Sequence, residues 1–461
     1  MKNALLLKIS AAVLALGAIS GTAWSVRHGH AGTAVHAATA AAAPTATSDQ
    51  VFAAIPSPGA ATAADKEIAR WMGKTRANTS DDKLWVNLGD ALMQKPRENA
   101  DFRYYGYAEQ AYGQALARNP RNADALDGMA WVSSDRHQFD KSIDYAKQSI
   151  AINPRNNTAY GLWGDADVEL GHYDDAFTHY QSMLDIRPDL ASYSRGAHLL
   201  FLNGDSRKAM WLMIKAIKSG GPYAENTAWC RAQLGLMLFN EGALMPADGV
   251  LKDALKATPN SFQVLAAMGR VKAAEKDYPA AVANYQKALT VQPNLDVLVA
   301  LGDVYQAMGR PADAEKEYAA VEELHRKNTD VAVHDHMQMA LFYADHDRNL
   351  VQAMQFAEEH KLSPNVNDAD TLAWCYYKNG LLPQAKAASD RALSRHTPDA
   401  RYLFHAGMIA AKMGDRVGAQ KDLYQALSMN PGFSPLFSTV AASALQQLGS
   451  TAPDAKIAAV R

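Results

Sequence analysis

The chain has 461 residues, of which 20% are charged and 48% hydrophobic, with 46 Lys+Arg against 48 Asp+Glu and two cysteines. A near-neutral balance without a basic block argues against a nucleic-acid binder, which needs a positive stripe to displace counterions. Cys230 and Cys375 can make neither a disulfide scaffold nor a four-cysteine zinc site, and the body has no apolar run long enough for a polytopic membrane protein.

Residues 1–25 read as a secretory signal peptide. Lys2 and Lys8 give a positive start, and Ile9 to Gly21 is an apolar stretch too short for a comfortable membrane span. Ala23 and Ser25 fit a cleavage site, and Val35 and Ala37 offer a later one, after residue 37. The later cut removes Lys2, Lys8 and Arg27 and moves the net charge from −2 to −5. No cysteine near the stretch could carry a lipid. The alternative is an uncleaved helix over residues 4–24 that anchors the chain to the inner membrane. Either way the expectation is an exported bacterial protein, periplasmic or secreted, with no other membrane contact.

Residues 26–64 are dominated by Ala, Thr, Ser and Pro and carry little that could be buried, so they read as a disordered spacer. His28, His30 and His36 in that region are incidental to this reading. Residues 65–81 are expected to form a capping helix with Ile68, Trp71 and Met72 turned inward.

From residue 82 to 433 the prolines keep a period. Pro120, Pro154, Pro188 and Pro222 stand 34 apart, as do Pro259 and Pro293, and Pro364 and Pro398. Such a period marks a repeat array. The residues in between agree: Trp85-x2-Leu88-Gly89-x2-Leu92, Leu234-Gly235-x2-Leu238 and Leu298-x2-Leu301-Gly302-x2-Tyr305 share one pattern. Twelve residues after the glycine stands a small residue (Ala176, Ala247, Ala314, Ala419), and four further on a large one (Tyr180, Leu251, Tyr318, Leu423). Small residues let two helices close up, and large ones fill the space between pairs. Gly171, Gly242, Gly309, Gly380 and Gly414 are placed to end each first helix.

The pattern resembles the tetratricopeptide repeat (TPR) family. The resemblance implies an all-α, right-handed superhelical solenoid of about ten helix-turn-helix units with helical caps. Repeats are expected to start near 82, 123, 157, 190, 228, 262, 295, 333, 366 and 400. The largest insertion, around Gln94 to Tyr105, is expected to widen the turn inside the first repeat. The units near 190 and 333 match least well. Residues 434–461 form the C-terminal cap and tail, with Leu436, Phe437, Val440, Ala444 and Leu448 on one side of a closing helix. Each repeat is expected to touch only its neighbours.

No phosphate-binding loop, nucleophile elbow or H-E-x-x-H motif occurs. His334, His336 and His346 come nearest to a ligand cluster, but residues two apart on a helix point away from each other. No catalytic, cofactor-binding or metal-ligating residue is assigned. Asp174 and Asp175 read as a solvated turn, and both cysteines as small buried core residues.

What remains is a surface. The resemblance implies that first helices line a concave face and meet partners at repeat positions 2, 5, 9, 12 and 13. The candidate protein-binding residues carried over are Trp131, His198, Phe201, Trp229, Phe239, Arg270, Asp303, Met337, Trp374, Tyr377, Phe404 and Met408. Aromatic groups in a groove are frequent anchors, although aromatics also fill cores. The Lys and Asn pair with which some family members clamp a C-terminal carboxylate is missing. The function expected is a non-enzymatic scaffold or adaptor of the cell envelope that holds a peptide or extended segment in its groove, without cofactor, metal or nucleic acid. The alternative is a regulatory or substrate-presenting subunit of an enzyme whose catalytic chain is separate. Self-association is left open.

Overall fold

A computed structural model of the chain describes residues 46–59, 62–99, 101–221, 224–328 and 336–453. The expected signal peptide, the anchor helix over 4–24, the tail beyond 453 and His334 lie outside the described residues.

Among the described residues, ten consecutive helix pairs make the array. They are Asp82–Asn99 with Arg103–Arg118, Ala123–Asp135 with Phe139–Ile152, Asn157–Glu169 with Tyr173–Ile186, Leu190–Leu202 with Ser206–Ser219, and Ala224–Asn240 with Leu244–Ala257. The later five are Phe262–Ala274 with Tyr278–Val291, Leu295–Ala307 with Pro311–Asn328, His336–Asp345 with Leu350–Glu358, Val366–Lys378 with Leu382–Leu393, and Ala400–Met413 with Arg416–Met429. Ala63–Ala77 caps one end and Phe437–Gln447 the other. No helix among the described residues is long and apolar enough to cross a membrane.

Local chemistry sets the helix ends. Asn122, Asn156, Asn294, Asn365, Asp189 and Asp399 each accept a bond from an amide in the first turn of the helix that follows. Gly171, Gly242, Gly309, Gly380 and Gly414 all take positive φ after a first helix, as expected. In repeats two and six, which lack that glycine, His137 and Lys276 adopt the same left-handed conformation at φ 57° and 62°.

The glycine inside the first helix has a packing role. A Cβ on Gly164 would stand 2.4 Å from Tyr180 Cε1, and one on Gly302 2.4 Å from Tyr318 Cε1. The ring of the second helix therefore lies flat on the backbone of the first. Its hydroxyl donates to the aspartate beside the glycine: Tyr112 to Asp90 at 2.8 Å, Tyr180 to Asp165 at 2.7 Å and Tyr318 to Asp303 at 2.9 Å.

Three expectations need correction. The insertion in repeat one does not widen a turn; it lengthens the first helix, which runs to Asn99 with Pro96 inside it. The helix end reaches repeat five, where Arg97 pairs with Glu225 at 3.2 Å. Residues 48–54, within the stretch expected to remain unordered, form a helix capped by Thr47; it buries Val51 and Phe52, and Phe52 stacks on Trp85 at 5.0 Å.

The third concerns reach. Repeats do not touch only their neighbours, because the array curls back on itself with an offset of about six units. Asn365, which opens repeat nine, donates to the Val168 and Glu169 carbonyls of repeat three at 3.3 and 3.1 Å. The Val366 amide donates to the Tyr173 hydroxyl at 3.0 Å. Thr397, before repeat ten, donates to the Leu202 carbonyl of repeat four at 2.5 Å. Asn430, after repeat ten, donates to the Phe239 carbonyl of repeat five at 2.8 Å. Val168, Tyr173, Leu199 and Leu202 share a buried apolar cluster with Val366 and Tyr402 along this seam. Arg395 pairs with Asp174 across it at 3.1 Å, and that aspartate stays exposed to water, as expected of a solvated turn.

Candidate functional site

The first helices of repeats five to eight face a partly open cavity of about 470 Å³ inside the curled array. The first helices of repeats five to eight supply Leu236, Phe239, Phe262, Arg270, Asp296, Asp303, Gln338, Leu341 and Asp345. The opposite wall comes from Asp399, Ala400 and Arg401 at the start of repeat ten, and from Gly432, Phe433, Pro435 and Phe437 after it. The seam therefore makes the cavity: without the return of repeat ten, repeats five to eight would face open water.

Its electrostatics are mixed. Four carboxylates, Asp296, Asp303, Asp345 and Asp399, face two guanidiniums, Arg270 and Arg401. Asp296 is open to water yet surrounded by protein, so burial raises its pKa, while Arg270, Arg401 and a bond from Gln338 work the other way. Burial also raises Asp345, against the pull of His405, His346 and Arg401. Arg401 is held protonated by Asp399 and Asp370, which outweigh its burial. Its Nε lies 3.4 Å from Asp370 Oδ2, and His405 Nδ1 lies 3.0 Å from Asp370 Oδ1. Gln338 Oε1, Asp345 Oδ1 and His405 Nε2 have no hydrogen-bonding protein partner. Arg270 lies over the Phe239 ring at 5.3 Å and projects into water.

Of the twelve residues expected from the sequence to bind a partner, Phe239, Arg270 and Asp303 line this cavity. Asp303 is also bound on both sides, by Tyr318 and by His346 Nε2 at 2.8 Å. Trp374 and Phe404 are 2% and 1% exposed and sit in the core. Trp374 stacks on His405 at 4.1 Å and on Tyr377 at 4.7 Å, and Phe404 stacks on Phe437 of the closing helix at 5.2 Å. They join neighbouring first helices, so neither meets a partner in this arrangement. Phe201 is buried in the core of repeats four and five, with Trp229 half-buried against it. Trp131, Met337 and Met408 are half-buried away from the cavity lining. His198 is open to water but enclosed, and burial lowers its pKa against Asp165.

Asp296, Gln338, Asp345 and Arg401 were absent from the expected set. Asp296 and Arg401 hold position 2 of their repeats and Asp345 position 13, so the same register could have found them. Phe433 ends the tenth repeat and Phe437 lies in the closing helix, so the positions that mark inward faces of first helices cover neither.

His346 uses both ring nitrogens, on Asp303 and on the Phe342 carbonyl, and His336 meets Glu359 at 2.7 Å. Among the described residues no three His, Cys, Asp or Glu side chains could hold an ion. Cys230 and Cys375 are free and buried, and burial pushes both thiols up to about 12.

No family model matches the sequence. A stretch of 92 residues, 20% of the chain, is 34% identical to small glutamine-rich tetratricopeptide repeat-containing protein 2 of Mycosarcoma maydis. The chain spans about a quarter of that relative's length, 26%. Among solved structures, the human IFIT1 dimer with PPP-AAAA has a TM-score of 0.43 and 14% identity over 79% of this chain and 94% of that one. The APC/C hetero-tetramer Cut9-Hcn1 has a TM-score of 0.38 and 11% identity over 84% and 90%. The period, the paired helices with their glycine-on-ring packing, and the curated match together support repeats of the tetratricopeptide class.

Proposed function

We propose that the chain is a non-catalytic scaffold of the cell envelope that holds an extended segment of another protein in its central cavity. One observation carries the reading: the inward faces of repeats five to eight and the return of repeat ten bound about 470 Å³ lined by aromatic, aliphatic and charged side chains. That volume suits a short extended segment or a few inserted side chains, and excludes a folded domain. Carboxylates outnumber guanidiniums in the lining, which favours protein over nucleic acid. Export rests on the charged and apolar pattern of residues 1–25.

The test is capture from an envelope fraction by the chain without its first 37 residues, compared with an Arg270→Glu, Leu341→Ala variant. Both positions line the cavity and neither is fully buried. Loss of a captured partner with an unchanged melting curve supports the cavity. Equal capture by both proteins refutes it and moves the binding surface to the outer helices or loops.

A further inference from the structure

We propose that the seam between repeats three to five and repeats nine and ten is a reversible latch, and that the C-terminal repeats act as a lid gating the cavity. The proposal rests on the cavity being the working site, as argued above, and adds how it is entered.

The latch has a regular construction. Asn365, Thr397 and Asn430 are about 33 residues apart and hold the same place, just before or after a repeat of the returning arm. Each donates a side-chain hydrogen to a carbonyl in the last turn of a first helix: Val168 and Glu169, Leu202, and Phe239. Those carbonyls lie at helix ends, where water can replace the side chain once the arms part. Opening therefore strands no backbone group in an apolar interior. Backbone approach is close at the same points. A Cβ on Gly171 would stand 2.4 Å from the Asn365 nitrogen, and one on Gly242 2.4 Å from the Met429 carbonyl. At those two points backbone meets backbone, while elsewhere along the seam Val168, Tyr173, Leu199 and Leu202 pack on Val366 and Tyr402, and parting the arms exposes that cluster.

Latch and cavity wall are one piece of chain. Asn430 bonds to the Phe239 carbonyl, and the next residues, Gly432, Phe433 and Pro435, line the cavity opposite Phe262 and Arg270. Thr397 stands two residues before Asp399 and four before Arg401, which line it as well. Parting the seam removes one entire wall. The Arg395–Asp174 pair, on the rim, opens with it.

The Val366 amide reports on the latch directly, because its bond to the Tyr173 hydroxyl exists only when the seam is shut. The experiment is native-state hydrogen exchange on the full chain, with two variants. Asn365→Ala, Thr397→Val, Asn430→Ala releases the latch. Asp174→Cys, Arg395→Cys, joined by a short bis-maleimide, locks it; Cys230 and Cys375 are buried and do not compete. The expected result is that Val366 in the unmodified chain exchanges at least tenfold faster than amides inside Tyr278–Val291. The released variant raises seam exchange tenfold more and leaves that helix unchanged. Locking abolishes the fast exchange, and Nile red uptake follows the same order, highest in the released variant and lowest in the locked one.

Seam exchange as slow as the helix cores would overturn the proposal, since the seam would then part only on global unfolding. So would a released variant in which every repeat exchanges faster together. If the triple variant does not fold, comparison of the locked and unlocked double-cysteine protein decides alone. None of these readouts uses a partner. A latch that opens while no envelope protein depends on Arg270 and Leu341 would sink the binding reading and keep the lid.

Discussion

Gly302 and Gly249 are both helical, and the same change to alanine should move stability in opposite directions at the two sites. A Cβ on Gly302 lands 2.4 Å from Tyr318 Cε1. Carbon atoms pack at roughly 3.5–4.0 Å, so the ring must retreat by about 1 Å or more. It has little room. Its hydroxyl is tied to Asp303 at 2.9 Å, and its face meets His346 at 4.4 Å and Phe342 at 5.7 Å. Overpacking of this kind costs about 1–3 kcal/mol, and losing the hydroxyl bond adds ~0.5–1.5 kcal/mol. The alanine regains ~0.5–1 kcal/mol of helix propensity. The net expectation is a loss of about 1–3 kcal/mol. Around Gly249 nothing lies within 4 Å, so only the propensity gain of ~0.5–1 kcal/mol remains. Urea unfolding followed by far-ultraviolet circular dichroism measures both. In a Tyr318→Ala background the penalty of Gly302→Ala should vanish, because the opposing ring is gone. A neutral or stabilising Gly302→Ala, or an equal penalty in both backgrounds, would refute the account of glycine beneath a ring.

Three further outcomes follow from the packing. Gly235→Leu, whose Cβ would meet Leu251 at 2.8 Å, should destabilise by ~1–3 kcal/mol, and a neutral melting shift would mean the register there is wrong. Trp374→Ala should cost about 3–5 kcal/mol in the same unfolding assay, as expected of a core side chain rather than a groove anchor. Burial pushes Asp135 up to about 7, against bonds from Tyr105 and Trp131. The folded state therefore holds the proton more tightly than the unfolded chain. This favours folding below about pH 4, and the advantage is lost as the pH rises towards 7. The Tm of the natural chain should fall more between pH 5 and pH 8 than that of Asp135→Asn; equal falls would count against a buried, proton-holding Asp135.

Short-range features of the array were legible because each is decided within one repeat. Pro120 and Asn122, or Pro293 and Asn294, stop one helix and cap the next within a few residues. The spacing of Gly302, Ala314 and Tyr318 encodes a helix crossing that any chain with those residues must make. Helix ends without a glycine were not legible, since His137 and Lys276 take the left-handed turn against their intrinsic preference. Their helices are held by packing on both sides. The helix 48–54 hid in an Ala- and Ser-rich stretch because a few side chains dock it: Val51, Phe52 and Ile55 are buried with Trp85, and Arg118 donates to Ser48 at 2.9 Å.

The candidate site was read less well, for one physical reason. A repeat register says which residues face inward, but facing inward means exposure in an open array and burial in a closed one. Trp374 and Phe404 carry the groove signal and spend it on His405 and Phe437. Small increments of twist between successive units, summed over about six of them, bring Asn365 to Val168 and Asn430 to Phe239. No single motif holds that sum. It does leave a trace, however. Asn365, Thr397 and Asn430 recur at nearly the repeat spacing, beside prolines at 364, 398 and 431, and each reaches out of its own unit instead of only capping it. In an array limited to neighbour contacts, those amides and that hydroxyl would have no carbonyl to meet beyond their own turns. Polar side chains at successive repeat boundaries, coupled with glycines at the matching helix ends six units earlier, are thus the local signature of closure. Gly171 and Gly242 are two such glycines, and at both the returning backbone leaves no space for a Cβ.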